Sequence, residues 1–292
     1  MTFTIVTDSS SNLPEHLIDT YDLKVLPLEF MVEGQVYHSY LKGSVTDLTK
    51  FYDMMRDGKI ITTSLPSLEH ADAIIREEYE AENDVLYLGF ASALSGTYEN
   101  MSAYLERVRA EEYPQRKLEC VDTKAAALGE GLFVLEAVKL REQGMKLAEV
   151  AEWARKEVLT FAHWFTVDDL AYLQRGGRLS KGAAFAGSLL NIKPVLHVDE
   201  IGRLVPMEKV RGRKKSLQAL VDQFEEGASE PKDGQLVCIS HGDCKEDAEF
   251  VRDQIAERFG VSEFIINDLD PVIGAHVGPG TVALFFTTDK ER

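Results

Sequence analysis

Short unbroken apolar runs that end in small polar residues recur along this chain. Stretches with apolar residues spaced three and four apart lie between them. FTIVTD (3–8) predicts a buried strand closing on Asp8, with Ser9 to Ser11 as its loop. DVLYLGF (84–90) and KLECVD (117–122) repeat the form, each ending where small polar residues begin. Met101, Leu105 and Val108 make one helical stripe, and Leu128, Leu132, Leu135 and Val138 make another. Strands alternating with helices predict an α/β fold with a mainly parallel sheet covered on both faces. Ligands of such sheets sit beyond the carboxyl ends of the strands. MVEGQVYH (31–38) departs from the pattern and predicts a hairpin turning at Glu33-Gly34.

The second half has another character. HWFTV (163–167) precedes DDLAYLQRGGRLSKG, a helix stopped by Gly176-Gly177. IKPVLHVD and GRLVPMEKV, two extended runs around Gly202, predict an antiparallel pair. QLVCISH, FIIND and VALFFT (282–287) predict further strands, and EEGASEPKDG (225–234) a polar surface loop. A mixed α/β second domain is therefore expected. At 292 residues the chain is long for one core, which favours two domains, 1–158 and 159–292, divided at a helix-to-strand transition.

Charge narrows the partners. Lys and Arg total 32 against 49 Asp and Glu, a formal charge of −17. Such a surface repels phosphate backbones and anionic membranes, so no nucleic-acid partner and no stable membrane insertion are expected. No apolar run approaches the roughly 18 residues of a spanning helix. MTFTIVTDSSSN has no basic n-region and no signal-peptide core. Three cysteines and no secretory signal point to a cytoplasmic protein with reduced thiols.

Three stretches gather small, hydroxyl and turn residues beside strand ends: ITTSLPSLEH (61–70), SALSGTY (92–98) and IGAHVGPG (273–280). In the first, Pro66 biases Leu65 to extended backbone and Ser67 is a good helix cap, which leaves Thr62, Thr63 and Ser64 as surplus hydroxyls. In the second, small hydroxyl residues at a helix start either cap it or hold an anion, and the two uses look alike. In the third, glycines flanking Pro279 hold His276 in a stiff frame, from which a protonated imidazole would donate to an anion. A capped turn and a structural histidine account for the same residues.

Other chemistries are less well served. GGRLSKG (176–182) lacks the G-K-[ST] step of a phosphate loop, and no G-x-G-x-x-G follows the first strand. Cys238, His241 and Cys244 in CISHGDC have no fourth ligand near, so no metal site is expected. From Arg203 to Lys215 six cations, Arg203, Lys209, Arg211, Arg213, Lys214 and Lys215, face only Glu208. In so acidic a protein that segment suits docking of an acidic partner or a phosphate, although a solvated helix start is the commoner meaning.

Taken in order, these loops resemble the DegV family over nearly the whole chain. Asp8-Ser9, Thr63-Ser64-Leu65-Pro66, Leu94-Ser95-Gly96-Thr97-Tyr98 and Asp122-Thr123 with Gly129-x-Gly131 carry the likeness. Gly176-Gly177-Arg178, Ile192-Lys193-Pro194 and His276-x-Gly278-Pro279-Gly280 complete it. The resemblance implies a two-domain DegV-type fold with a lipid tunnel between the domains and one bound long-chain fatty acid of the palmitate or oleate kind. It implies no cofactor and no catalytic residue in this chain. Characterised members of the family are the lipid-binding subunit of a bacterial fatty acid kinase. They present the carboxylate to a separate ATP-using kinase subunit, and the acyl phosphate feeds phospholipid synthesis.

Carried onto this sequence, the resemblance places Thr63 and Ser95 as hydroxyl donors to the carboxylate, with His276 and an arginine, Arg178 ahead of Arg175, completing the network. Thr62, Ser64, Gly96 and Thr97 are further loop contacts. Leu65 stands where the family often has Gln, and Ala91 and Ala93 flank Ser92 where hydroxyls are frequent. The kinase subunit is expected to be acidic where it meets the Arg203–Lys215 segment. The alternative is a serine-dependent acyl hydrolase or transferase using Ser95 and His276, with Asp8 or Asp122 as orienting acid. Against it, the G-x-S-x-G elbow is absent. A regulatory binding module is the third class, and the sequence offers it no DNA-reading helix or basic groove.

Overall fold

The computed structural model describes residues 3–44, 46–179 and 191–292. In chain order the first half runs β1 (Phe3–Asp8), α1 (Glu15–Thr20), β2 (Lys24–Leu26), β3 (Glu29–Val32), β4 (Gln35–His38), α2 (Leu48–Arg56) and β5 (Ile61–Ser64). It continues with α3 (Leu68–Glu80), β6 (Asp84–Gly89), α4 (Thr97–Glu112), β7 (Leu118–Asp122), α5 (Leu128–Glu142) and α6 (Leu147–Glu157). The second half adds β8 (Phe161–Thr166), α7 (Ala171–Arg175), β9 (Ile192–Val198), β10 (Leu204–Arg211) and α8 (Arg213–Gly227). β11 (Leu236–His241), α9 (Lys245–Phe259), β12 (Glu263–Asp268), α10 (Pro271–Val277) and β13 (Val282–Thr287) close it. The Ser180-Lys181-Gly182 end of GGRLSKG lies outside the described residues.

The chain folds as two compact units, Met1–Thr46 with Thr62–Val158, and Asp47–Ile61 with Leu159–Arg292. Residues 47–61, counted with the first domain on sequence, thus fold with the second. Their reason is packing: α2 turns Phe51, Tyr52 and Met55 inward, and Tyr52 donates its hydroxyl to the Leu269 carbonyl at 3.0 Å. A Cβ on Gly274 would stand 2.6 Å from the Tyr52 hydroxyl, so that glycine makes room for the helix.

In the first unit β2-β1-β6-β7 form a sheet whose neighbours are all parallel. Every residue of β1 and β6 is buried, as a parallel sheet covered on both faces requires. β1 leads outward to β2 on one side, while β6 lies on its other side. The carboxyl ends of β1 and β6 are therefore the topological switch point, where such sheets bind ligands. β4, β3 and β5 make a small second sheet, and β3 and β4 turn at Glu33-Gly34 as the sequence predicts.

In the second unit the strand order is β10-β9-β8-β13-β11-β12. All its neighbours are antiparallel except β11 and β12, so this sheet is mixed. Leu217, Leu220, Val221 and Phe224 of α8 and Ala248, Val251 and Ile255 of α9 pack on Val237, Ile239, Leu284 and Phe286. EEGASEPKDG is a loop only from its fourth residue, because α8 continues to Gly227.

Candidate functional site

The exit from β6 is held at both ends by a carboxylate. Asp8, the last residue of β1, accepts the Phe90 N–H at 3.0 Å, and Asp122, the last of β7, accepts Ser92 Oγ at 2.6 Å and Ser92 N at 3.3 Å. Between them the Ala91 N–H meets the Ala125 carbonyl at 2.9 Å. Beyond them Leu94 N and Ser95 N return to the Ala91 carbonyl at 3.0 and 3.2 Å. The loop that opens α4 is thus tied to the sheet by its own hydrogen bonds.

Gly96 is the N-cap of α4 and has no side chain to cap with; one residue earlier, Ser95 Oγ accepts the Thr97 N–H at 3.2 Å and lies 2.8 Å from Thr97 Oγ1. It nevertheless stays half-buried, while Thr97 is fully buried and Gly96 exposed. On β5 the two-residue period of a strand sorts the surplus hydroxyls. Thr63 shares the half-buried face with Ile61, whereas Thr62 and Ser64 are exposed, and Ser64 donates to Glu29 at 3.2 Å. Ser67 occupies the N-cap of α3, as predicted, yet its hydroxyl makes no capping bond.

Sequence reading missed what lies beneath the loop. Thr7, Asp8, Ser10 and Glu130 are fully buried together. Thr7 Oγ1 donates to Glu130 Oε1 at 3.0 Å, and Ser10 Oγ lies within hydrogen-bond reach of both Asp8 Oδ1 and Glu130 Oε2. A hydroxyl has one proton, so both Ser10 contacts are hydrogen bonds only when one carboxyl is protonated. Burial pushes Asp8 above the usual carboxylate range, against the hydrogen bonds from Ser10, Phe90 and Tyr87, and that direction favours a proton shared within this cluster. The signal was in the sequence as Gly129-Glu130-Gly131. A Cβ on Gly131 would stand 2.6 Å from the Ser11 carbonyl, so this glycine brings α5, and with it Glu130, against the turn after β1.

The second unit gathers His276, Gly176 and Arg178. His276 belongs to the last turn of α10 rather than to a loop; Asp270 caps that helix by accepting Val272 N at 2.7 Å, and Pro271 follows it. A Cβ on Gly176 would overlap His276 Nδ1, and the Gly176 carbonyl accepts Arg178 Nη1 at 2.6 Å. Burial, and then the Arg178 guanidinium, hold the imidazole down at about 4. At that value the imidazole is neutral near pH 7 and has a single N–H to donate. Arg178 is half-buried and its pKa is lowered by that burial, yet an arginine keeps its charge. Arg175 is exposed and stacks over the Tyr172 ring at 4.7 Å.

The basic segment divides on inspection. Arg203, Lys209, Arg211, Lys214 and Lys215 are exposed. Arg213 instead pairs with Asp247 at 2.7 Å and approaches Asp168 at 3.6 Å, so it ties α8 to its neighbours and leaves the set of docking candidates. A bulge between Pro206 and Glu208 on edge strand β10 leaves Met207 55% exposed among these cations.

Asp8 and Asp122, the orienting acids of the hydrolase alternative, are engaged with the β6 loop. Cys244 donates to the Thr281 carbonyl at 3.2 Å, and burial pushes its thiol up to about 12. It borders a cleft of about 480 Å³ with His241, Asp243, Lys245, Glu246, Asp247 and Asp268, too acidic a lining for a carboxylate ligand. Among the described residues no group of three or more His, Cys, Asp or Glu is placed to hold a metal ion, and no helix is long and apolar enough to cross a membrane.

These features define a two-unit α/β protein whose first unit carries a hydrogen-bonded hydroxyl loop at the switch point of a parallel sheet. A family model described as "Uncharacterised protein, DegV family" matches residues 2–289, and the chain belongs to the DegV family. A DegV domain-containing protein of Clostridium perfringens is 39% identical over 292 residues, covering 99% of each chain. Among solved structures, a fatty-acid-binding DegV family protein from Thermus thermophilus is 33% identical with a TM-score of 0.83, over 99% of this chain and 100% of that one. DegV, a fatty acid binding protein from Bacillus subtilis, is 28% identical with a TM-score of 0.84, over the same shares.

Proposed function

We propose that this protein is a cytoplasmic fatty-acid carrier that binds one long-chain acid and presents its carboxylate to a separate, ATP-dependent kinase subunit. The observation that carries the reading is the Ser95 hydroxyl, half-buried on a hydrogen-bonded loop at the end of the sheet where such folds bind ligands. Its fatty-acid-binding relatives supply the ligand class. Thr63 and Ser95 donate to the carboxylate, Arg178 supplies the positive charge and His276 a neutral N–H. Hydrogen bonds to an ionised group contribute roughly 1.5–3 kcal/mol each. An enclosed acyl chain contributes about 0.8 kcal/mol per CH₂, roughly 10 kcal/mol in all before ordering costs. The tail gives affinity and the hydroxyls give orientation.

The kinase would dock on Arg203, Lys209, Arg211, Lys214 and Lys215, with Met207 as an apolar anchor among them. α8 opens with Arg213, Lys214 and Lys215 and no acidic residue in its first turn. Cations at a helix N-terminus oppose its dipole, so helix stability does not account for them. The acyl phosphate formed on the partner would enter phospholipid synthesis.

Native mass spectrometry and solvent extraction of the protein purified with its lipid test the carrier. One fatty acid per chain is expected, and Thr63→Ala with Ser95→Ala should release it. A chain that is empty as purified and refuses oleate and palmitate sinks the reading.

A further inference from the structure

Resting on that carboxylate reading, we infer that Thr97 is a positioning residue that assigns the Ser95 proton to the ligand. Thr97 was expected among the loop contacts, but it is fully buried behind Ser95. Its backbone N–H and its hydroxyl both meet one atom, Ser95 Oγ, at 3.2 and 2.8 Å. Two hydroxyls at that distance share one hydrogen bond, which runs in either direction. When Ser95 donates to Thr97, no Ser95 proton is left for an anion. When Thr97 donates to Ser95, the serine oxygen receives two donors from one residue, and its own proton points away from α4. A carboxylate selects the second arrangement, because it accepts and does not donate.

Three features hold Thr97 in that role. It is the first residue of the 16-residue helix α4, so its N–H has no partner within the helix and is available to Ser95. Its β-branched side chain is restricted at χ1, which keeps the hydroxyl near one place. Its hydroxyl, the Ser95 hydroxyl and the carboxylate then form a chain in which each bond polarises the next, in a setting of low dielectric. The positive end of α4 adds to the same field. Thr97 thus bears on the ligand's charge without touching the ligand.

The test compares palmitate with methyl palmitate, an ester of the same chain without the charge. Affinities are measured on delipidated wild type, Thr97→Val, Thr97→Ser, Ser95→Ala and the Ser95→Ala/Thr97→Val double variant, with thermal melts as a check on folding. Thr97→Val should weaken palmitate about fivefold, the worth of one neutral hydrogen bond, and leave the ester nearly unchanged. Thr97→Ser should restore palmitate, and the Thr97→Val effect should vanish when Ser95 is already alanine. Equal losses for acid and ester, or an undiminished effect without Ser95, would mean that Thr97 only packs, and the inference falls. A silent Thr97→Val beside a damaging Ser95→Ala overturns this inference alone. A silent Ser95→Ala overturns the carboxylate reading with it.

Discussion

Gly176 stands so close behind His276 that a Cβ would overlap its Nδ1, and the same residue's carbonyl holds Arg178 at 2.6 Å. A residue without a side chain therefore sets the place of both groups. Its neighbour Gly177 is different: a Cβ there meets open space, but φ is +73°. Gly176→Ala should displace His276 and weaken fatty-acid binding, with an overpacking cost of about 1–3 kcal/mol. Gly177→Ala should cost about 1–2 kcal/mol through left-handed backbone alone and leave the imidazole in place. Calorimetry and the His276 resonances separate the two, and identical behaviour would count against this division of roles.

The His276 imidazole titrates near 6.5 when the chain is unfolded and at about 4 when it is folded. Between those values the unfolded chain holds more protons, so stability from this group is complete above pH 6.5 and is lost as pH falls through 4. The linkage amounts to about 3 kcal/mol at most. Urea unfolding from pH 7 to 4 should show a shallower acid decline for His276→Gln than for wild type. A bound carboxylate should raise the imidazole pKa, since an opposite charge nearby favours the cation. A fatty-acid complex in which His276 still titrates near 4 would place the head group elsewhere.

Asp8 behaves in the opposite sense. Burial raises its folded pKa, so the folded protein holds the extra proton. Its contribution is present at acid pH and is lost as pH climbs from the ordinary carboxylate value through the raised one. Asp8→Asn keeps an acceptor for the Phe90 N–H and removes the titrating group, so its stability should fall less than that of wild type as pH rises. Asp8→Ala leaves the Phe90 and Ser10 N–H groups without that acceptor and should cost about 3 kcal/mol. Denaturant midpoints decide; an asparagine as damaging as alanine would show that the negative charge itself is required.

Docking and folding pull apart at the start of α8. Lys215→Glu puts an acid where the helix dipole favours one and should stabilise by about 0.3–1 kcal/mol. If the proposed docking holds, the same change should lower acyl-phosphate formation by a partner kinase while fatty-acid binding is kept. Arg213→Glu breaks its pairs with Asp247 and Asp168, and so should lower the melting temperature instead. Turnover unchanged by Lys215→Glu would exclude this patch as the docking surface.

The strand ends were legible because buried parallel strands read as unbroken apolar runs: β1 and β6 begin and end within a residue of the sequence estimate. α5 was legible only in part. Its stripe at Leu128, Leu132, Leu135 and Val138 is one side of a helix buried nearly all round, and the spacing of apolar residues carries no signal for a buried carboxyl such as Glu130. The glycines flanking Pro279 read as a loop, whereas Asp270-Pro271, a cap and first-turn pair, marks the helix that carries His276. The neutral state of His276 and the pairing of Arg213 depend on partners far along the chain, which local spacing does not contain.

The excursion of residues 47–61 has a consequence for synthesis. α2 is translated more than a hundred residues before Leu159–Arg292, the rest of the unit it belongs to. While the first unit closes around its sheet, Phe51, Tyr52 and Met55 hang from it as a greasy loop awaiting their berth. The nascent chain would then offer a chaperone a transient target that the finished protein conceals.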